Sequence, residues 1–271
     1  MTQRTFYPGD KWVYFKIYCP PTMTNYILTE RIGSLVNRWY DEGIIEKWFY
    51  IRYSDTGYHI RLRVELICLN HISKVVIELR NQLSEELGNG TVSSIQLDTY
   101  QRELERYGAS YMELCESFFF KDSCSVLETI KEKTEDIDLI CHSILWLLGL
   151  LISIEMTDNN ITDYLLGMED RYQREFRLST FQIKVINDEY RKIRGNLIGE
   201  ALELYGKPRL KVNHIDWITA PDSSQYLLSS LVHMHVNRVF PKNQRLYEYI
   251  IYHITNKVFD SILKISASSQ V

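Results

Sequence analysis

The chain is predicted to be an α+β protein, with a sheet-forming N-terminal half followed by a helical C-terminal half. Three observations predict this. Short aromatic and β-branched runs alternate with segments of helical spacing over the first hundred residues. Their order is β-α-β-β-α-β, the ferredoxin-like arrangement, which places four strands in one antiparallel sheet with a face free for a site. From about Gly108 onward the apolar spacing is helical. No repeat or low-complexity linker interrupts residues 1–271, so a single domain is expected, its sheet half at about 10–107 and its helical half at about 108–265.

The elements follow in order. Trp12–Tyr18 (WVYFKIY) reads as a strand stopped by Pro20-Pro21. Residues 24–40 carry Ile27, Ile32, Leu35, Val36 and Trp39 at helical spacing. Residues 48–53 and 59–66 form a hairpin around Ser-Asp-Thr-Gly. Residues 72–87 form a second amphipathic helix, which Gly88-Asn89-Gly90 ends, and 91–99 return as a strand. Helices are then expected at 110–120, 126–133, 138–156, 161–171, 181–205, 226–239 and 246–263. Asp122-Ser123 reads as a cap before the second of these, and Asp222-Ser223-Ser224 as a cap before the sixth. Residues 266–271 read as a frayed end.

Composition narrows the function. A net charge of −4 argues against general nucleic-acid or acidic-membrane binding, so a basic site must be local. Residues 139–154 (LICHSILWLLGLLISI) are the one long apolar run; being short and broken by His142 and Ser143, they read as a buried helix and not a span. The N-terminus lacks an apolar signal core, and the five cysteines are odd in number with no CxxC pair. Buried thiols in a cytoplasmic protein fit this best. Without a His-Glu-x-x-His set, a P-loop, a dinucleotide fingerprint or a GxSxG elbow, neither a metal nor a cofactor is expected.

Three polar knots stand out. In 48–63 (WFYIRYSDTGYHIRLR), Arg52, His59, Arg61 and Arg63 sit on strand segments. Arg61 and Arg63 are two apart and share a face, where like charges repel unless an anion joins them or water covers them. In 100–108 (YQRELERYG), Arg102 and Arg106 share a face if the segment is helical, with Glu103 beside them. This is either an ordinary surface charge network or a further cation for the hairpin pair. In 229–238 (SSLVHMHVNR), His233 and Asn237 face together while His235 turns away. A packed helix histidine and a catalytic one are both compatible with that spacing.

Together with WVYFKIY, these knots and the continuation GASYMELCESFFFKDS resemble, in order and spacing, the carboxy-terminal domain of class I lanthipeptide dehydratases, which also occurs alone in thiopeptide biosynthesis. The resemblance runs from about Lys11 to Leu263. It implies glutamate elimination: Ser or Thr of a precursor peptide, esterified with glutamate from glutamyl-tRNA by a separate glutamylation protein, loses that glutamate to give dehydroalanine or dehydrobutyrine. It implies Arg61, Arg63, Glu103, Arg106 and His233 as catalytic residues, with Arg52, Arg102 and Asn237 binding substrate. His233 would protonate the leaving carboxylate or move the α-proton; an imidazole suits either role. The implied partners are the precursor peptide, leader and core, and the glutamylation protein, without direct nucleic-acid contact or a membrane span. Two departures are visible, SDTGYH without a proline after the aspartate and GASYM in place of a double glycine. The same resemblance leaves open a pyridine synthase that joins two dehydroalanines by a formal [4+2] cycloaddition and releases the leader. A non-catalytic leader-peptide binding module, capturing an extended peptide on a sheet edge, is the third expectation.

Overall fold

A computed structural model describes residues 2–206, 218 and 226–268. The fold is α+β. Four strands form an antiparallel sheet: β2 (Trp12–Tyr18), β3 (Ile45–Ser54), β4 (Tyr58–Leu66) and β5 (Ser94–Asp98), in the order β3-β4-β2-β5. A smaller ribbon pairs β1 (Thr5–Phe6) with β6 (Tyr100–Gln101). That ribbon has no counterpart in the sequence reading, because two-residue strands carry no periodicity.

Register decides which side chains share a face. Phe49, Arg63 and Tyr14 lie abreast across β3, β4 and β2, and Ile51, Arg61 and Lys16 form the next row on the same face. The opposite face carries Trp48, Tyr50, Ile60, Leu62, Val64, Val13, Phe15 and Ile17, all buried. Arg52 shares that face, in the row of Ile60 and Ile17, and is the one charged residue among these buried rows.

By compactness the chain divides into two units, residues 1–134 with 223–244, and 135–222 with 245–271. In the first, helix Met112–Glu132 packs on β3 and on helix Leu227–Val239. Asp122-Ser123, expected as a cap between two helices, instead lie inside the first of these, which runs unbroken. Phe119, Asp122, Ser123 and Val126 are spaced three or four apart and fall on one buried stripe. The carboxylate tolerates that place because Arg238 Nη1 (2.9 Å) and His235 Nδ1 (2.8 Å) both donate to it. Ser123 Oγ accepts from Arg238 Nε and from the Tyr50 backbone N–H, so this stripe also satisfies an amide of the sheet-edge strand. Burial pushes the Asp122 carboxyl upward, but His235 and Arg238 together hold it below the ordinary aspartate value. The expected 24–40 helix forms with a π-helical stretch at Ile27–Ile32, after which Gly33 sits so close to Leu28 O and Leu127 that a Cβ would crowd both.

The second unit contains helices Asp136–Ser153, Asp158–Phe176, Thr180–Gly206 and most of Gln244–Ser268. Asp136–Ser153 is the helix, among the described residues, long and apolar enough to cross a membrane, and half of it is buried within the fold. Thr157 caps the next helix by accepting from Asn160 N. A polar cluster joins Tyr172, Arg245 and the buried Glu248, with Arg245 also held by Glu175. The cap expected at 222–224 lies outside the described residues, as do 269–271; residues 266–268, expected to fray, are helical. The thiols are less uniformly buried than expected: Cys19 and Cys115 are, whereas Cys68 is exposed.

Candidate active site

One cavity of about 330 Å³ in the first unit collects most of the sequence-nominated residues. Arg61, Arg63, Glu103, Arg106, His233 and Asn237 all line it. That volume lies within the range of small-molecule sites. Three guanidiniums against one carboxylate make the lining cationic.

Each arginine is held differently. Arg61 stacks on Tyr53, with its guanidinium carbon 3.4 Å from the ring centroid, and lies 3.4 Å from Asp55. Its Nε donates to His59 Nε2 at 3.1 Å, while His59 Nδ1 donates to Gly57 O at 2.9 Å. These two bonds fix the neutral His59 tautomer. Burial, opposed by the Gly57 carbonyl and reinforced by Arg61, holds His59 below the ordinary histidine value.

Arg63 is 8% exposed. Its guanidinium is surrounded by the rings of Tyr14, Tyr100 and Phe49 at 4.4, 5.0 and 5.3 Å. Among the described residues no carboxylate pairs with it, and its buried Nε finds no hydrogen-bond partner. A desolvated cation with an unmet donor, on the wall of a cavity, is poised for an anion. Arg106 extends from the short helix Leu104–Tyr107; its Nε donates to Ser230 Oγ (2.9 Å) and its Nη1 to Glu103 Oε2 (3.3 Å).

His233 and Ser230 come from helix Leu227–Val239. The Asn237 amide donates to His233 Nε2 at 3.0 Å, which places a neutral ring's proton on Nδ1. His235 turns away, as the ~100° helical step requires, into the Asp122 cluster.

Two expectations need correction. Arg52, expected at the substrate, is on the opposite sheet face, since it pairs with Ile60 while Ile51 pairs with Arg61. It is buried, donating to Arg238 O and Thr24 Oγ1. Arg102 does not share a helix face with Arg106, because the helix begins only at Leu104. The β1–β6 ribbon turns it inward: its backbone N–H bonds to Arg4 O and its guanidinium forms a two-pronged pair with the buried Glu116. Neither arginine lines the cavity. Conversely, the sequence reading missed Ser230, although its three-residue spacing from His233 places it on the same helix face.

Residues 12–259 match the family described as "Lantibiotic biosynthesis dehydratase C-term", and the chain belongs to that family. It is 26% identical over 267 residues to the subtilin biosynthesis protein SpaB of Bacillus subtilis, covering 90% of this chain and 25% of SpaB. It is 29% identical over 133 residues to the nisin biosynthesis protein NisB of Lactococcus lactis subsp. lactis, covering 48% of this chain and 13% of NisB. The chain thus spans a quarter or less of the length of these relatives. Among solved structures, the tRNA-dependent lantibiotic dehydratase MibB of Microbispora matches with TM-score 0.68 at 20% identity, over 94% of this chain and 28% of that one. The pyridine synthase TbtD of thiomuracin biosynthesis matches with TM-score 0.66 at 10% identity, over 94% of this chain and 100% of that one. At these identities the two likenesses establish a common fold.

Proposed function

We propose that this chain is a cytoplasmic glutamate-eliminating lyase of ribosomal peptide antibiotic biosynthesis, built as one elimination-type domain on a ferredoxin-like sheet. Its substrate is a precursor peptide glutamylated on Ser or Thr by a separate protein. Arg61, Arg63 and Arg106 hold the negative charge that the substrate brings and the reaction develops. A base removes the α-proton, the Cα–H electron pair becomes the Cα=Cβ bond, and the Cβ–O pair leaves with the glutamate carboxylate. His233, positioned by Asn237, serves as base or as acid toward the leaving group. Glu103 orients Arg106. The observation that carries this reading is Arg63, buried and without a carboxylate partner among the described residues, on a cavity shared with Arg61, Arg106 and His233.

A second reading is the formal [4+2] cycloaddition of two dehydroalanines, favoured by the full-length structural correspondence with TbtD. The resemblance implies that cycloadding members tend not to keep the arginine and histidine set, and its retention here supports elimination. The test supplies the protein with a precursor carrying a glutamylated Ser and, separately, with a dehydrated precursor, and follows peptide mass. Loss of glutamic acid from the first supports elimination. A cyclic product with released leader from the second supports cycloaddition. Binding without a mass change in either leaves a leader-peptide binding module.

A further inference from the structure

The geometry points to Tyr107 as a further catalytic residue, a neutral hydrogen-bond donor to the oxygen on which negative charge builds during elimination. The inference rests on the elimination reading and deepens it. Tyr107 lines the cavity and is 3% exposed, and among the described residues its buried hydroxyl has no hydrogen-bond partner. A buried phenol normally finds an acceptor, and leaving it unmet is unfavourable. The ring itself is well held: it packs edge-on to Phe119 at 5.4 Å, and the Arg106 guanidinium lies 5.4 Å from its centroid. Gly108 ends the short helix directly after it at φ +80, a left-handed conformation that glycine adopts without strain. The unmet hydroxyl is therefore carried on a ring packed against Phe119 and the Arg106 guanidinium.

Arg63 and Tyr107 both line this cavity, and each carries a buried donor, Nε and Oη respectively, without a partner among the described residues. Their roles divide by charge. A glutamyl carboxylate is anionic before reaction and suits a guanidinium. When the α-proton leaves, charge develops on the oxygen of the adjoining carbonyl, and a neutral donor already in place strengthens its bond as that charge grows. Burial, countered in part by Arg106, raises the Tyr107 hydroxyl above the ordinary tyrosine value, so it donates without giving up its proton.

The test is Tyr107→Phe in the full chain, assayed with a peptide bearing one Ser–glutamate ester. The proposal expects kcat to fall by about 10²–10³ with KM within about twofold of wild type, the signature of an interaction made in the transition state. The melting temperature should be unchanged or higher, since an orphan hydroxyl has been removed. An active wild type with an equally fast Y107F protein, or with only KM raised, overturns the assignment and leaves the elimination reading standing. So does a Y107F protein whose lost turnover matches its lost folded fraction. A wild type that releases no glutamate overturns both.

Discussion

Arg63→Met separates a functional arginine from a structural one, because the two make opposite demands on stability. Among the described residues the buried Nε of Arg63 lacks a partner, an arrangement worth about 1–3 kcal/mol against folding. The three rings around its guanidinium return about 0.5–2 kcal/mol by cation–π attraction. Methionine follows much of the same path and fills much of the same space, so the net change on R63M lies between about −1 and +2.5 kcal/mol of stabilisation. Arg238 is the internal control. It is fully buried and, although its Nη2 also lacks a partner among the described residues, it is paired with Asp122, so R238M should cost about 3–5 kcal/mol by leaving that buried carboxylate with His235 alone of its two donors. Activity should run the other way: R63M should lower glutamate release about 10²–10³-fold, equivalent to about 3–4 kcal/mol of transition-state stabilisation. Urea unfolding of both variants, beside turnover per folded molecule, gives the comparison. If R63M unfolds as easily as R238M and still turns over normally, Arg63 is a packing residue and the anion argument is wrong.

Other outcomes follow from the same geometry. Asp122→Ala should destabilise by about 3–5 kcal/mol, whereas Asp122→Leu combined with Arg238→Met should recover most of that loss, as read by a double-mutant cycle in urea. Arg102→Lys should weaken folding through Glu116 while leaving KM for the glutamylated peptide unchanged, since Arg102 lies outside the cavity. His59 has a depressed folded-state pKa, so its contribution is complete above the ordinary value of about 6.5 and declines as pH falls below it, by at most about 1.4 kcal/mol per pH unit. The difference between wild-type and His59→Gln unfolding free energies across that window should carry this slope; parallel curves would show that His59 titrates alike in both states.

Much of the site was legible because sequence spacing on regular elements translates directly into faces. Arg61 and Arg63 are two apart on one strand, and His233 and Asn237 four apart on one helix; each pair meets where the spacing places it. The failures come where a short irregular segment sets direction. Arg102 and Arg106 share no helix face because a two-residue ribbon holds the first and a one-turn helix presents the second. Arg52 was misplaced by parity: hairpin register puts it one residue out of step with Arg61, and register depends on how the Asp55–Gly57 turn closes. Asp122 and Ser123 looked like a cap because polar residues normally end apolar stripes. Only the distant Arg238 and His235 make their burial tenable, and that pairing across 113 or more positions has no local signal.

The most direct measurement of the central claim is single-turnover release of glutamate from a precursor peptide carrying one Ser–glutamate ester, comparing wild type with His233→Ala and Arg63→Met proteins shown to be folded. The account predicts dehydroalanine and one equivalent of glutamate from the wild type, with both variants slower by orders of magnitude. Intact ester with the wild type, or release at the wild-type rate from both variants, would contradict it.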